Sequence, residues 1–461
     1  MNAVMTTTAN QPETARPKTL AEQTIAAATV APASVLPQPF NRLRQAAQNR
    51  LSQVPFPTRR QERYKYCQLD GLSNTAFESF QVFPKISADQ LAALTLPECQ
   101  DARLVFVNGR YQPQLSQTKA LTAIKGFHIT PFSGMDDAAA EALLTQRLEA
   151  QVAGDDNWFS LANTALLDDG LHIRVDRDVV VDVPVQLLFV MAGADATPRI
   201  AAPRLVAELG PYARLTVMEH YVGLNNASAT LNTMGFDVFL DDGASMTTIL
   251  FQEDHQAGFH FNQRRVQVGR HAGFNQHTLA FSGLLSRFDN HVTVVGEQGD
   301  ARLNGLLLLN SSRQSHHHLL IDHQAGHSTS NQLYKSIVLD EARGEFDATV
   351  KIAKGAQQTN AAQLNKNLVL SPLAKVYTRP QLLIDADDVK CAHGATVGQL
   401  DEEEQFYLTS RGLSPAQAQY MLIDGFAQEL IDQLPIASLH QRLTGELQDW
   451  FNQRFGQQAA E

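Results

Sequence analysis

Between about residues 171 and 400 the chain offers no convincing amphipathic helix of about ten residues, and that absence constrains the fold more than any motif does. Short β-branched or aliphatic segments recur there instead, at 179–183, 215–217, 292–295, 306–309 and 346–352. In the last of these, Phe346, Ala348, Val350 and Ile352 alternate with Asp347, Thr349 and Lys351, the period-two pattern of a half-buried strand. Sheets linked by helices are excluded because the crossover helices are missing. A sandwich, a propeller and a β-helix remain. Turn glycines at 210, 243, 273, 299 and 326 are separated by 33, 30, 26 and 27 residues. That spacing is too irregular for a sequence repeat but consistent with successive similar layers. Asn360, Gln363, Asn365 and Asn367 recur close to strand ends, where a solenoid stacks polar side chains, and this favours the β-helix.

The flanks read differently. Residues 1–38 are rich in Ala, Thr and Pro and are expected to be a flexible tail rather than a secretion signal. Phe40, Leu43, Ala47 and Leu51 then recur at helical spacing, and the helix must stop before Pro55 and Pro57. The basic run Arg59, Arg60, Arg63 and Lys65 reads as a solvated surface. Further helical patches follow Ser87 and span 136–152, giving a mixed, mostly helical first domain over 39–160. The β core occupies 161–400. A helical domain follows over 401–461, where Ser414 is a natural N-cap and Pro415 sits at the first helical position. Its apolar stripe runs through Ala418, Met421, Leu422, Phe426, Leu430 and Leu434, and a second stripe through Leu439, Leu443, Leu447, Trp450 and Phe451. Two helices packed on each other and a docking face for another protein both fit so wide a stripe.

Composition narrows the function classes. The 461 residues are 44% hydrophobic and 18% charged, enough apolar material for a sizeable core. With 37 basic and 48 acidic residues the net charge is −11, which argues against broad nucleic-acid binding. The three cysteines, Cys67, Cys99 and Cys391, are too few and too scattered for a disulfide scaffold and point to a reducing, cytoplasmic compartment. No apolar run reaches the roughly 18 residues of a membrane span. A phosphate-binding loop, a dinucleotide fingerprint, a Cys-x-x-Cys pair and a nucleophile elbow are all missing, so no catalytic residue is assigned.

Two clusters carry chemistry. His316, His317, His318, His323 and His327 have metal-ligand spacing in part, but no Glu stands between His323 and His327, and Gly326 argues against a helix there. Their simpler reading is histidines paired with backbone or Asp322 on a sheet surface. In the stretch 387–394, Val389, Cys391 and His393 share one face of an extended strand, so thiol and imidazole lie side by side as a soft two-donor unit. One thiol and one imidazole cannot hold an iron–sulfur cluster, which takes about four ligands, so any cluster needs donors from a partner.

The order Asp387-Asp388-Val389-Lys390-Cys391-Ala392-His393-Gly394-Ala395-Thr396-Val397-Gly398, then Phe406-Tyr407-Leu408 and Ser410-Arg411-Gly412-Leu413, resembles the SufB/SufD family of iron–sulfur cluster assembly proteins, in its SufD form. His327-Ser328-Thr329-Ser330, Gln332, Lys335 and Thr378-Arg379-Pro380-Gln381-Leu382 add to the likeness, whereas Tyr64 and Cys67 depart from the family pattern. The resemblance implies a right-handed parallel β-helix core between helical terminal domains. It implies a non-catalytic scaffold that pairs with a SufB-like subunit and docks a SufC-like ATPase through its C-terminal helices. It places a transient iron–sulfur cluster at the SufB–SufD interface, shared with the partner and not held by the isolated chain. It carries the interface ligand onto His393, with Cys391 as second donor, and the ATPase-docking region onto Met421, Leu422, Phe426 and Leu430. Membrane and nucleic acid are not expected partners, and the isolated chain is free to form a homodimer. The rival readings are a self-sufficient homodimeric cluster carrier and a β-helix enzyme that degrades polysaccharides.

Overall fold

The computed structural model describes residues 19–20, 22–24, 36–80, 84–193, 196–224 and 228–455. Most of the expected tail therefore lies outside the described residues, although Leu20 and Leu36 are buried against the first helical layer. The body is a parallel β-solenoid in which the chain alternates between two sheets, each new strand pairing with the one two elements earlier. One sheet runs through Arg204–Leu209, Thr230–Leu240, Gly258–Val268, Leu285–Val294, Gln314–His323 and Arg343–Ile352 to Lys375–Ile384. The other runs through Arg214–Leu224, Ser245–Glu253, Gly273–Ala280, Asp300–Leu309, Thr329–Val338 and Thr359–Val369 to Val389–Gly398.

The glycines at 210, 243, 273, 299 and 326 all fall at one corner, where the chain passes from the first sheet to the second. That corner needs a left-handed residue in most layers: Tyr212, Gly243, His271, Gln298, His327 and Gln358 have φ between 55° and 69°. The expected strand at 179–183 does not form. Asp178 turns the chain at φ 62°, and only an isolated bridge from Val180 to Arg214 remains.

Both sheets are covered on their outer faces, so their strands read as near-continuous apolar runs. Phe40, Trp158, Phe159 and Leu161 from the helices Gln38–Leu51 and Trp158–Ala165 pack on Leu231, Phe259 and Phe261 of the first sheet, and the rings of Phe159 and Phe261 stack at 3.6 Å. The helices Pro415–Ile431 and Ala437–Phe455 cover the second sheet. Their Ile423, Ala427, Leu430, Leu439 and Leu443 pack on Met218, Ile249, Phe251, Leu306 and Ile337. The wide C-terminal stripe is thus satisfied by the solenoid as well as by helix–helix contact. Helices mark both ends of the chain, yet the first domain also lends strands to the solenoid. Arg103–Val107 extends the second sheet, and Phe127–Pro131 pairs antiparallel with Gly170–Val175.

The lumen mixes apolar and polar files. Arg264 is fully buried; it pairs with Glu219 and donates to Thr248 Oγ1 at 2.9 Å and Gln276 Oε1 at 3.1 Å. Tyr334 lies across the lumen over Gly305, where a Cβ would come within 2.2 Å of the ring, so only glycine fits beneath it.

Candidate functional site

Among the described residues the solenoid ends without a capping strand. Val389–Gly398 pairs only with Thr359–Val369, and Lys375–Ile384 pairs only with Arg343–Ile352, so each terminal strand presents an open edge among the described residues. Such an edge carries a row of unpaired backbone donors and acceptors, a template for another strand. Large apolar side chains accompany it: Leu383, Ile384 and Val397 are 55%, 39% and 53% exposed.

Register shows which side chains face the lumen. Thr359, Ala361, Gln363, Asn365 and Asn367 are buried, and they pair with Val389, Cys391, His393, Ala395 and Val397. Cys391 and His393 therefore both project into the open mouth, separated along the strand by about 7 Å. The small Ala361 lies beneath Cys391, and Gln363 lies beneath His393. Gln363 is itself fixed, donating to Ala348 O at 3.1 Å and Gln332 Oε1 at 3.3 Å. Cys391 is half-buried, and burial raises its thiol above the ordinary value, with a backbone contact from Ala361 opposing the rise. His393 is exposed. A thiol and an imidazole on one exposed face make an incomplete ligand set that a second chain could complete. Inward residues of the facing strand, Val376, Thr378, Pro380, Leu382 and Ile384, complete the rim; Thr378, Pro380 and Leu382 belong to a stretch that carries the family likeness, whereas Val376 and Ile384 were not singled out.

The histidine cluster divides between the two faces of Gln314–His323. His317 and His323 point into the lumen. The His317 ring stacks on Phe288 at 4.8 Å, and His323 bonds Ser328 Oγ at 2.7 Å and Ser330 Oγ at 2.9 Å. His327 is exposed at the corner. His316 and His318 face outward under the segment around Glu62 to Gln68. There the Tyr66 ring stacks on Tyr377 at 3.8 Å, and the Cys67 thiol reaches His316. Burial pushes the His316 imidazole down, but Cys67 and Glu345 outweigh it and hold it up at about 9. No local signal in the sequence joins Cys67 to His316, because tertiary packing alone brings them together.

Burial lowers His317 to about 3 and His323 to about 4. Both are therefore neutral in the fold, while the unfolded chain protonates near 6.5. The unfolded state then binds more protons below that value, and stability falls as pH drops from about 6.5 toward 4. Each histidine is expected to remove about 1–2 kcal/mol by pH 5. Urea midpoints at pH 7 and pH 5, with His323→Asn flattening the difference, check this.

The comparisons with known proteins match this architecture. The model of the SUF system FeS cluster assembly SufBD core domain covers residues 189–426, and that of the SufBD protein N-terminal region covers 28–187. The chain belongs to the SufBD family. A Synechocystis iron-sulfur cluster assembly SufBD family protein is 34% identical over 87% of this chain and 88% of its own length. Iron-sulfur cluster assembly protein SufD of Escherichia coli is 33% identical over 87% of this chain and 91% of its own. SufD of Bacillus subtilis is 25% identical over 78% and 82%. Within the SufBD family the chain is SufD-like, and iron–sulfur cluster assembly is its field of action. Among the described residues no helix is long and apolar enough to cross a membrane.

Proposed function

We propose that this chain is a non-catalytic scaffold subunit of a SufBCD-type complex, acting in the cytoplasm. The observation that carries the reading is the uncapped last layer, with His393 and Cys391 turned into its mouth beside two unpaired edges. A SufB-like subunit with a matching solenoid end would continue both sheets across the interface. His393, with Cys391 as second donor, would then supply ligands to a nascent cluster that is cargo of the complex, the remaining thiols coming from the partner.

The C-terminal domain is the proposed platform for a SufC-like ATPase. Of the four stripe residues assigned to docking, Leu430 is buried against the solenoid, and Phe426 is half-buried beneath the Lys335 ammonium, 4.5 Å from its ring centre. These two anchor the helix. Met421, 54% exposed, and Leu422 line an apolar groove with Tyr407 and Leu408, rimmed by Glu403 and Glu404. Phe406, 75% exposed, stands beside it. Apolar area of this kind seldom stays open to water without use.

A pull-down of SufB-like and SufC-like subunits on the full chain tests both faces. Met421→Asp is expected to weaken ATPase retention by at least about tenfold while the SufB-like subunit stays bound. Retention of the ATPase at parental level would remove the docking assignment.

A further inference from the structure

Beneath the segment around Glu62 to Gln68, on the outer face of the first sheet, lies a donor set that the open mouth does not use. His316 and His318 sit on Gln314–His323 in register with Glu345 and Asp347 on the next strand. His318 is the odd member. Its Nδ1 lies 3.3 Å from Asp347 Oδ2, and its Nε2 lies 3.7 Å from Glu345 Oε1. Both ring nitrogens thus face carboxylate oxygens, and the buried Nε2 has no hydrogen-bond partner. A neutral imidazole carries one N–H, so one nitrogen turns its lone pair toward an anionic oxygen. That contact is repulsive unless a proton or a metal cation lies between them.

The ligand atoms of His318, Glu345 and Asp347 all lie within 4.8 Å of one another. The side chains are 14%, 4% and 8% exposed, so the set is largely out of water. His316 donates from Nδ1 to Glu345 Oε2 at 2.6 Å and fixes that carboxylate from behind, as partners of metal ligands do. A cavity of about 490 Å³, lined by His318, Asp347, Asp289, Gln263 and Arg379, opens beside the set and leaves room for water ligands. Arg379 supplies the positive charge in the meantime. It grips Asp347 through Nε at 3.1 Å and through Nη2, while its Nη1 already reaches Glu62 Oε1 at 2.7 Å.

We propose that His318, Glu345 and Asp347 form a site for one divalent first-row transition ion, with Arg379 releasing Asp347 and moving onto Glu62 when the ion enters. One imidazole and two carboxylates are a mixed donor set suited to ions such as Fe(II), Mn(II) or Zn(II) rather than to a soft cluster. The site is separate from the open mouth and does not depend on the scaffold reading.

Anaerobic titration of the full chain with Co(II), followed by visible d–d absorption and equilibrium dialysis, tests this. Cys391→Ser/His393→Ala serves as the parent, so that the mouth contributes no signal. One Co(II) per chain is expected, bound at least about tenfold more weakly after His318→Gln and after the near-isosteric Asp347→Asn. Arg379→Gln removes the competing cation and is expected to tighten binding. Far-UV circular dichroism confirms that each variant is folded. A parent that binds no Co(II), or an affinity unchanged in the folded Asp347→Asn protein, overturns the proposal.

Discussion

Arg264→Ala is expected to lower the unfolding free energy of the solenoid by about 3–5 kcal/mol, because it leaves a carboxylate buried without its counter-charge. Arg264 and Glu219 are both fully buried, and Tyr221 donates to the second Glu219 oxygen at 2.9 Å. The guanidinium also lies over the Phe236 ring at 5.0 Å and bridges two neighbouring layers through Thr248 and Gln276. No solvent reaches Glu219 to replace what the arginine supplied. The double variant Arg264→Met/Glu219→Leu removes both charges and is expected to recover most of the loss. Urea unfolding of the single and double variants makes the comparison. A single variant as stable as the parent would show that the pair is not the lumen's electrostatic anchor.

The second large effect is functional. His393→Ala is expected to lower the iron and sulfide bound to the reconstituted complex by at least about tenfold, with subunit stoichiometry unchanged. His393 is exposed, so its loss separates ligation from stability. Cys391 is different: it is half-buried against the lumen, and Cys391→Ser tests whether the thiol is a donor or a packed group. Reconstitution of the isolated chain supplies the contrast. A stable cluster there that survives His393→Ala would favour the self-sufficient carrier over a shared site.

The solenoid was legible in the sequence because its two constraints are local. Long helices are absent from the middle of the chain, and a glycine marks one corner in successive layers. Strand alternation was legible mainly at residues 346–352, and the physical reason is burial on both faces. Leu306 and Leu308 face the C-terminal helices while Leu307 and Leu309 face the lumen, so the run shows no period of two. The segment at 179–183 has strand composition, but the turn at Asp178 and the following Pro184 keep it out of the ladder.

At the site, the shared face of Cys391 and His393 followed from strand parity alone. Its position at the end of the solenoid did not, since only the pairing register reveals which strand is last. The C-terminal stripe illustrates the same limit. Met421 and Leu430 look alike in the helical pattern, yet one is exposed and the other is buried on Ile337 and its neighbours. The contact of Cys67 with His316 joins segments far apart in the chain and leaves no periodicity to read.

Amide hydrogen exchange of the full chain, alone and with a SufB-like subunit, tests most directly whether another chain completes the last layer. Backbone amides within Val389–Gly398 and Lys375–Ile384 are expected to become protected in the complex, with the corners of earlier layers unchanged. Protection confined to other surfaces, with both terminal strands exchanging as they do in the isolated chain, would contradict it.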